Sequence, residues 1–401
     1  MIKSSKISFK FSNTRKVTIL NRIIDEYTIV VRRFIDILWG LETVPKFIDK
    51  DITSKIDTWL SARMVQCAGK QASGIVRGTR KKEEKRLFIY NKLIRDGKPK
   101  KARKLKRIID KTKISKPKIE NLEMELDSRF VKTNLENETS FDGWITISSI
   151  GNKLKLKIPF RRNKHFNTLD SKGTLKEGAR IGKNAISFNF DIPDIIKKNE
   201  GVVLGIDVGQ KTAISCSNGF TSVKDIHGHD LDSITNKLVR KQKGSKGFIK
   251  AQKHRTNFIN WSINQLNLDE VKEVRIENIK NLRKGKRISK KLSLWTYTDI
   301  FYKIEDYCNE HGVHVVKVNP TYTSKRCSVC GWTRSSNRKG KQFKCGHCGN
   351  IIDADLNASV NIATKLKPIW FKQRQQYNIK KGFFWNIVGE DNIVPLVPQT
   401  N

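Results

Sequence analysis

The pattern of hydrophobic and polar positions divides the chain into two halves with different expected structures. Residues 3–12 alternate in polarity and predict a strand, whereas 16–40 and 55–78 carry apolar side chains at helical spacing. A strongly basic stretch with helical character follows at 79–110, and alternation returns over 117–196. The first half is therefore expected to be a β module interrupted by a helical insert.

The second half is predicted to alternate between strands and helices. In chain order, the patterns predict strands at 202–207, 212–217 and 220–225, a basic helical segment at 231–266, a strand at 271–277, a helix at 294–310 and a strand at 313–318. After an inserted segment, a helical pattern begins at Asp355. This order of elements is typical of an RNase H-like fold. We expect an α+β multidomain protein.

Composition adds a strong expectation about the partner. The chain has 401 residues, enough for two to four domains, and its 80 Lys and Arg against 39 Asp and Glu give a formal net charge of +41. Such an excess opposes compaction unless a polyanion neutralises it, which favours a nucleic-acid partner. No apolar run approaches a membrane span and no signal-like segment opens the chain. We expect no membrane association and a cytoplasmic, prokaryotic location, with nucleoid association when bound.

Four of the seven cysteines lie in two CxxC pairs, Cys327/Cys330 and Cys345/Cys348. This spacing predicts a zinc ribbon with one structural Zn²⁺ held by four thiolates. His347 lies inside the second pair, but four cysteines already complete a tetrahedron. The ribbon is also basic, which suggests that it touches nucleic acid through Lys325, Arg326, Arg334, Arg338, Lys339, Lys341 and Lys344.

Three carboxylates occupy the ends of predicted core elements. Asp207 ends one apolar strand, Glu277 ends another, and Asp355 opens the helical pattern after the cysteines. Three rigidly held carboxylates suit a catalytic site with two Mg²⁺ ions, because hard oxygen ligands can bridge divalent cations. Each residue also has a structural alternative, as a turn former, an ion-pair partner or a helix cap. Of Asp353 and Asp355, Asp353 is the better candidate for the cap.

Several motifs together resemble the RuvC-like nuclease half of TnpB, the transposon-encoded ancestor of type V CRISPR effectors. The matching segments are 205–209, 276–282, 318–324 and 353–362, each containing or adjoining a candidate acid or a cysteine pair. The resemblance covers roughly 200–365 and implies a RuvC-like (RNase H-like) nuclease domain with a zinc-ribbon insert. Before it, the layout resembles an N-terminal β-barrel wedge module with a helical recognition insert.

The resemblance also implies a division of the chain. The expected segments are the wedge module at 1–15 and 117–198, the helical recognition insert at 16–116, the RuvC-like nuclease at 199–322 and 351–365, the zinc-ribbon target-binding insert at 323–350, and a C-terminal tail at 366–401.

An RNA-guided DNA endonuclease is the activity that this resemblance implies. A guide RNA would pair with target double-stranded DNA beside a short adjacent motif, and one site would cut both strands. The protein is expected to be a monomer or homodimer. A miniature type V effector guided by CRISPR RNA and a guide-RNA-directed repressor without cleavage are the alternatives. The expected nucleic-acid contacts are Arg80, Lys81, Lys82, Lys100, Lys101, Arg103, Lys250, Lys253, His254 and Arg255.

Overall fold

A computed structural model describes residues 1–112, 114–135, 139–279, 288–367, 369 and 377–385. The chain divides into two compact units, Met1–Asp194 and Ile195–Asn401. The end of the second motif, 280–282, and most of the predicted tail lie outside the described residues. Within the described part, no helix is both long and apolar enough to cross a membrane. The mixture of helices and strands confirms the predicted α+β class.

The first unit contains β strands on either side of a helical segment, as the sequence predicted. Its elements are β1 (Ile2–Ser8), α1 (Thr14–Gly40), α2 (Lys50–Thr53), α3 (Ala62–Arg95), α4 (Pro99–Lys111), β2 (Met124–Leu126), β3 (Val131–Asn134), β4 (Gly143–Ile147), β5 (Leu156–Phe160), α5 (Lys164–Asp170), β6 (Thr174–Ile181) and β7 (Ala185–Asp191). The strands form one sheet in the order β1-β7-β6-β2 and another in the order β3-β4-β5. Closure into a barrel remains a prediction.

Helices α1 and α3 pack against each other in this unit. The side chain of Asn13 caps α1 by accepting from the backbone N–H of Arg15 at 2.8 Å, and the apolar stripe beyond it is buried. The predicted boundary between a helix at 55–78 and a basic stretch at 79–110 is wrong. Helix α3 runs without a break to Arg95, and the chain turns at Gly97, whose φ of +62° suits glycine.

The second unit is built on a mostly parallel sheet. Its first elements are β8 (Val202–Asp207), β9 (Ser215–Cys216), α6 (Leu231–Val239), α7 (Lys246–Ile263), β10 (Val271–Glu277), α8 (Lys290–Ser293), α9 (Tyr297–Glu310) and β11 (His314–Val318). The sheet order is β11-β10-β8-β9, with β8, β10 and β11 parallel and β9 antiparallel. Strands β8 and β10 contribute Leu204, Ile206, Val274 and Ile276 to the buried core.

The remaining elements surround the cysteine pairs and return to the sheet. They are β12 (Trp332–Thr333), a 3₁₀ turn (Ser335–Asn337), β13 (Arg338–Lys339), β14 (Gln342–Lys344), β15 (Ile351–Asp353), α10 (Ala354–Ala363) and β16 (Phe383–Phe384). Strands β13, β14 and β15 form a small antiparallel sheet, and β12 pairs with β16. Helix α10 packs on β8, β9 and β10.

Two sequence expectations for this unit are wrong. The predicted strand 220–225 is only an isolated bridge between Thr221 and Ser215. In the same segment, the hydroxyl of Ser222 accepts the backbone N–H groups of Ala213 and Ile214, at 3.0 and 3.4 Å, in place of a regular ladder. The predicted helix 231–266 is two helices, α6 and α7. Gly244 adopts a φ of +86° between them, and Ser245 caps α7.

Candidate active site

Gly205 allows helix α10 to pack closely on β8. A Cβ atom at this position would lie 2.0 Å from the carbonyl oxygen of Ser359 and 2.5 Å from the backbone nitrogen of Ala363. The guanidinium of Arg275, on the neighbouring strand, donates to the Ala363 carbonyl at 2.7 Å and caps the end of α10. The helix is thus fixed at its C-terminal end, with Asp355 in its first turn directed to the edge of the sheet where β8 ends.

The parallel pairing of β8 with β10 brings the first two acids to the same edge. Ile206 pairs with Ile276, so the following residues, Asp207 and Glu277, end adjacent strands side by side. The hydroxyl of Thr323 donates to a carboxylate oxygen of Glu277, and the hydroxyl of Tyr297 donates to its backbone carbonyl. These two bonds fix both the side chain and the backbone of Glu277.

Asp355 is held by two cations from the cysteine-rich segment. Arg338 donates to Oδ1 of Asp355 at 2.8 Å, and the ammonium of Lys341 pairs with Oδ2. The same ammonium lies 3.1 Å from Oγ1 of Thr212. Asp353 accepts the backbone N–H groups of Asp355 and Leu356 at 2.9 and 3.0 Å, which confirms it as the helix cap.

Burial and mutual repulsion perturb the acids. Desolvation raises the pKa of Asp207 to about 6, with a further contribution from the negative charge of Asp355. Desolvation also raises the pKa of Glu277 to about 7, reinforced by the charge of Asp207 and opposed by the bond from Thr323. The three carboxylates therefore influence one another, and the site favours a bound positive charge at neutral pH.

The donor set fits hard divalent cations. Three carboxylates provide only oxygen ligands, two of them are destabilised as free anions, and the third is already paired with Arg338 and Lys341. The three acids do not form a group whose ligand atoms all lie within 4.8 Å of one another. Among the described residues, such groups are the four cysteines and Asp225 with His229 and His254.

The cysteine pairs form a separate site that fits one zinc ion. Sγ of Cys327 lies 3.7 Å from Sγ of Cys348, and Sγ of Cys330 lies 3.6 Å from Sγ of Cys345. A tetrahedron with Zn–S bonds of about 2.3 Å separates its sulfurs by about 3.8 Å. His347 is not in this group, and its ring packs against the rings of Trp332 and Phe384.

Glycines after the second cysteine of each pair shape the two knuckles. Gly331 and Gly349 have φ values of +77° and +75°. Their N–H groups donate to the carbonyls of Cys327 and Cys345 at 3.0 and 3.2 Å. Each tight turn directs two thiolates to the same point, as the sequence spacing predicted.

Three arginines expected to contact nucleic acid are instead bonded within the protein. Arg80 is half-buried and donates to the carbonyls of Trp39, Leu41 and Glu42 at the end of α1. Arg255 is buried and bonds the carbonyl of Leu294.

Arg326 is 2% exposed and donates to the Trp385 carbonyl at 2.8 Å and to Oδ1 of Asn361 at 2.7 Å. Burial lowers the pKa of this guanidinium to about 10. In each of the three cases the guanidinium donates to at least one backbone carbonyl from a distant part of the sequence, so the charge pattern alone misassigned the residue.

Among the remaining predicted contacts, Arg338 and Lys341 of the ribbon are paired with Asp355, and Arg334 donates to the Lys380 carbonyl at 3.2 Å. His254 is half-buried on α7 and lies near Asp225. The predicted contacts that are exposed on α3, α4 and α7 are Lys81, Lys82, Lys100, Lys101, Arg103, Lys250 and Lys253. Their role in binding nucleic acid stays a prediction.

Sequence reasoning missed four groups that support the acids. Thr323 and Tyr297 hold Glu277, and Arg338 and Lys341 hold Asp355. No local signal distinguishes Arg338 and Lys341 from the other basic residues of the ribbon. The turn between β13 and β14 brings Arg338 and Lys341 to Asp355, because it places this segment beside the first turn of α10. There the Lys341 carbonyl accepts the Ala354 N–H at 2.8 Å.

A family profile, curated relatives and solved structures show similarity to this chain, and the family profile places its match in the second unit. The family profile described as Cas12f1-like, TNB domain, matches residues 297–362. A Cas12f1 CRISPR-associated endodeoxyribonuclease of Sulfoacidibacillus thermotolerans is 45% identical over 92 residues, which are 22% of this chain and 21% of that protein. A TnpB-like protein of Methanocaldococcus jannaschii is 28% identical over 117 residues, which are 28% of this chain and 42% of that protein.

A solved structure, a Cas12f1–sgRNA–target DNA complex, aligns with a TM-score of 0.47 at 17% identity, over 90% of this chain and 98% of that one. The chain spans less than half the length of the two curated relatives described above. The matched region, 297–362, contains the four clustered cysteines and Asp355. The family profile and the curated relatives confirm the predicted resemblance: residues 297–362 match the Cas12f1-like TNB profile, and the chain is similar to both Cas12f1 endodeoxyribonucleases and TnpB-like proteins.

Proposed function

We propose that this protein is a TnpB-like RNA-guided DNA endonuclease with one RuvC-like site formed by Asp207, Glu277 and Asp355. The observation that carries the proposal is the convergence of these acids at one sheet edge, where burial and repulsion raise the pKa values of Asp207 and Glu277. The β8–β9–β10–β11 sheet with α10 packed against it supports an RNase H-like core.

The three acids would hold two Mg²⁺ ions, which supply an activated water and neutralise charge on the leaving oxygen. Other residues of the chain hold these acids in position. Thr323 holds one oxygen of Glu277, and Asp353 fixes the first turn of α10, so that Asp355 remains at the sheet edge. Arg338 and Lys341 place positive charge beside Asp355, where a DNA phosphate would also be attracted.

The relatives support the substrate class. The Cas12f1 relatives are named as endodeoxyribonucleases, and the solved complex contains single-guide RNA and target DNA. A net charge of +41 supports binding of a long polyanion. The exposed cations of α3, α4 and α7 are the proposed contacts to guide RNA and to the guide–target duplex backbone.

Cleavage by purified protein with its copurified RNA tests the assignment. Asp207→Ala should bind target DNA but lose cleavage by at least about 10³-fold, because a bridging ligand is removed. Asp299→Ala, an exposed acid on α9, is the matched control and should cleave like wild type. Cleavage by Asp207→Ala at the wild-type rate would refute the site, and retained binding without cleavage in the wild-type protein would favour the repressor alternative.

Sequencing of the copurified RNA tests the guide. One abundant structured species is expected, and its genomic neighbour, a transposon end or a repeat array, identifies the guide's source. Heterogeneous cellular RNA would refute guiding.

A further inference from the structure

A second cluster of metal-ligand side chains lies outside the acidic site. It consists of Asp225 and His229, in the loop before α6, and His254 on α7. One carboxylate oxygen and one ring nitrogen from each histidine all lie within 4.8 Å of one another. Two imidazoles and a carboxylate are ligands typical of zinc and similar transition metals, whereas Mg²⁺ strongly prefers oxygen.

The loop is rigid enough to hold two of these ligands. Oδ1 of Asp225 accepts the backbone N–H groups of His227 and His229, both at 2.9 Å. The backbone N–H of Asp225 donates to the His229 carbonyl at 2.8 Å, and Gly228 adopts a φ of +75° between them. The carboxylate is therefore oriented by the backbone of the loop itself, as supporting hydrogen bonds orient ligands in established metal sites.

The third ligand comes from a helix that is itself well packed. Nε2 of His254 lies 3.7 Å from Oδ2 of Asp225, and Nδ1 of His229 lies 3.4 Å from Oδ1. The two imidazole rings are perpendicular, with centroids 5.0 Å apart. On the same helix, Phe248, Ala251 and Phe258 are buried and fix the position of α7.

These distances suit a shared cation better than direct bonds. They exceed the usual 2.7–3.2 Å of a hydrogen bond, but ligand atoms about 2.0–2.1 Å from one zinc ion are separated by about 3.3 Å. Nδ1 of His229 is shielded from solvent and makes no hydrogen bond within the described part of the chain. A buried ring nitrogen that faces a carboxylate without bonding it points to a missing ligand between them.

We propose that Asp225, His229 and His254 bind a transition-metal ion of the Zn²⁺ class, separate from the zinc-ribbon ion and from the acidic site. Three protein ligands leave one coordination position for water. The ion cross-links the 225–229 loop to α7, the helix that exposes Lys250 and Lys253. The zinc-ribbon cysteines and the acids Asp207, Glu277 and Asp355 take no part in it.

Zinc stoichiometry of the full chain, with the ribbon zinc in place, tests this site. Wild type and variants are dialysed against Zn²⁺ held at low free concentration by a chelator buffer, and bound zinc is measured by mass spectrometry. His254→Gln and His229→Gln should each bind one equivalent less than wild type, because losing a ligand weakens the site by more than about tenfold. His227→Gln, a change in the same loop outside the cluster, is the matched control and should retain wild-type zinc.

Two further readouts exclude a folding artefact. His254→Cys retains a zinc ligand and should restore the equivalent that His254→Gln loses. Zinc should also slow hydrogen exchange of the 225–230 peptide in wild type but not in His254→Gln. Equal zinc in wild type and His254→Gln, loss in His227→Gln as well, or uptake only at high free zinc would each overturn the proposal.

Discussion

Replacing Asp207 by asparagine should stabilise the magnesium-free protein while it removes a proposed catalytic ligand. The pKa of Asp207 is raised from 3.8 to about 6, chiefly by burial. A folded-state pKa above the unfolded value favours the folded protein while the group is protonated, and this contribution is lost as the pH rises through about 6. Above that pH the ionised carboxylate destabilises the folded protein, because it is shielded from water and lies near the negative charge of Asp355.

The expected magnitude follows from the size of the shift. At about 1.4 kcal/mol per pKa unit, the shift corresponds to at most about 3 kcal/mol of destabilisation at pH 8. The side chain is half-buried rather than fully enclosed, so solvent screening makes this value an upper limit. Asparagine retains the shape and removes the charge. Its advantage should shrink as the pH falls below about 6 and should vanish only well below 3.8, the unfolded-state pKa, where Asp207 is protonated in both states.

Denaturant unfolding without magnesium, at pH 5 and pH 8 and with the ribbon zinc retained, measures this effect. Asp207→Asn should exceed wild type in free energy of unfolding at pH 8, and its advantage at pH 5 should be about half as large. Asp127→Asn is the control of opposite sign, because the hydrogen bond from Arg129 lowers the pKa of Asp127 and its charge is favourable. If Asp207→Asn is less stable than wild type at pH 8, the electrostatic description of the site is wrong.

Three further predictions address the support of the site. Gly205→Ala should lower the free energy of unfolding by about 3 kcal/mol or more and abolish cleavage, because its Cβ would overlap the Ser359 carbonyl. Gly74→Ala, in open space on α3, should instead raise the free energy of unfolding by about 0.5–1 kcal/mol, and denaturation of both variants checks the contrast. The cleavage rate should rise between about pH 6 and 7 as Asp207 and Glu277 ionise, and the midpoint of this rise should move to lower pH as the Mg²⁺ concentration is increased. A pH–rate profile that does not move with Mg²⁺ would contradict metal binding by these acids. Arg326→Met should accelerate zinc release to a chelator, because it leaves the Trp385 and Asn361 acceptors without their donor at a cost of about 1–3 kcal/mol each. An unchanged rate of zinc release would show that Arg326 does not stabilise the ribbon.

Much of the nuclease-like unit could be predicted from the sequence because its signals are local. The apolar runs that end at Asp207 and Glu277 specify strands, the cysteine spacing specifies the knuckles, and Asp353 occupies a cap position. Each of these depends on residues within a few positions of one another.

The rest required the tertiary structure. A run of positive charge gave no indication that Arg80, Arg255 and Arg326 face backbone carbonyls from distant segments. The break between α6 and α7 was missed because apolar residues at helical spacing occur on both sides of it. The positive φ of Gly244 and the cap formed by Ser245 mark the turn in the structure. Long-range partners and single-residue backbone conformations have no periodic signal.

The contacts of Arg338 and Lys341 with Asp355 would make the proposed cleavage depend on the zinc supply and redox state of the cell. Both residues lie in the segment folded by the four thiolates, and both touch Asp355. Oxidation of one cysteine, or zinc starvation, would release this segment and withdraw two positive charges from the proposed cleavage centre. A nuclease with the proposed site would be inactivated by thiol damage at a distance, although the four cysteines take no part in the proposed cleavage.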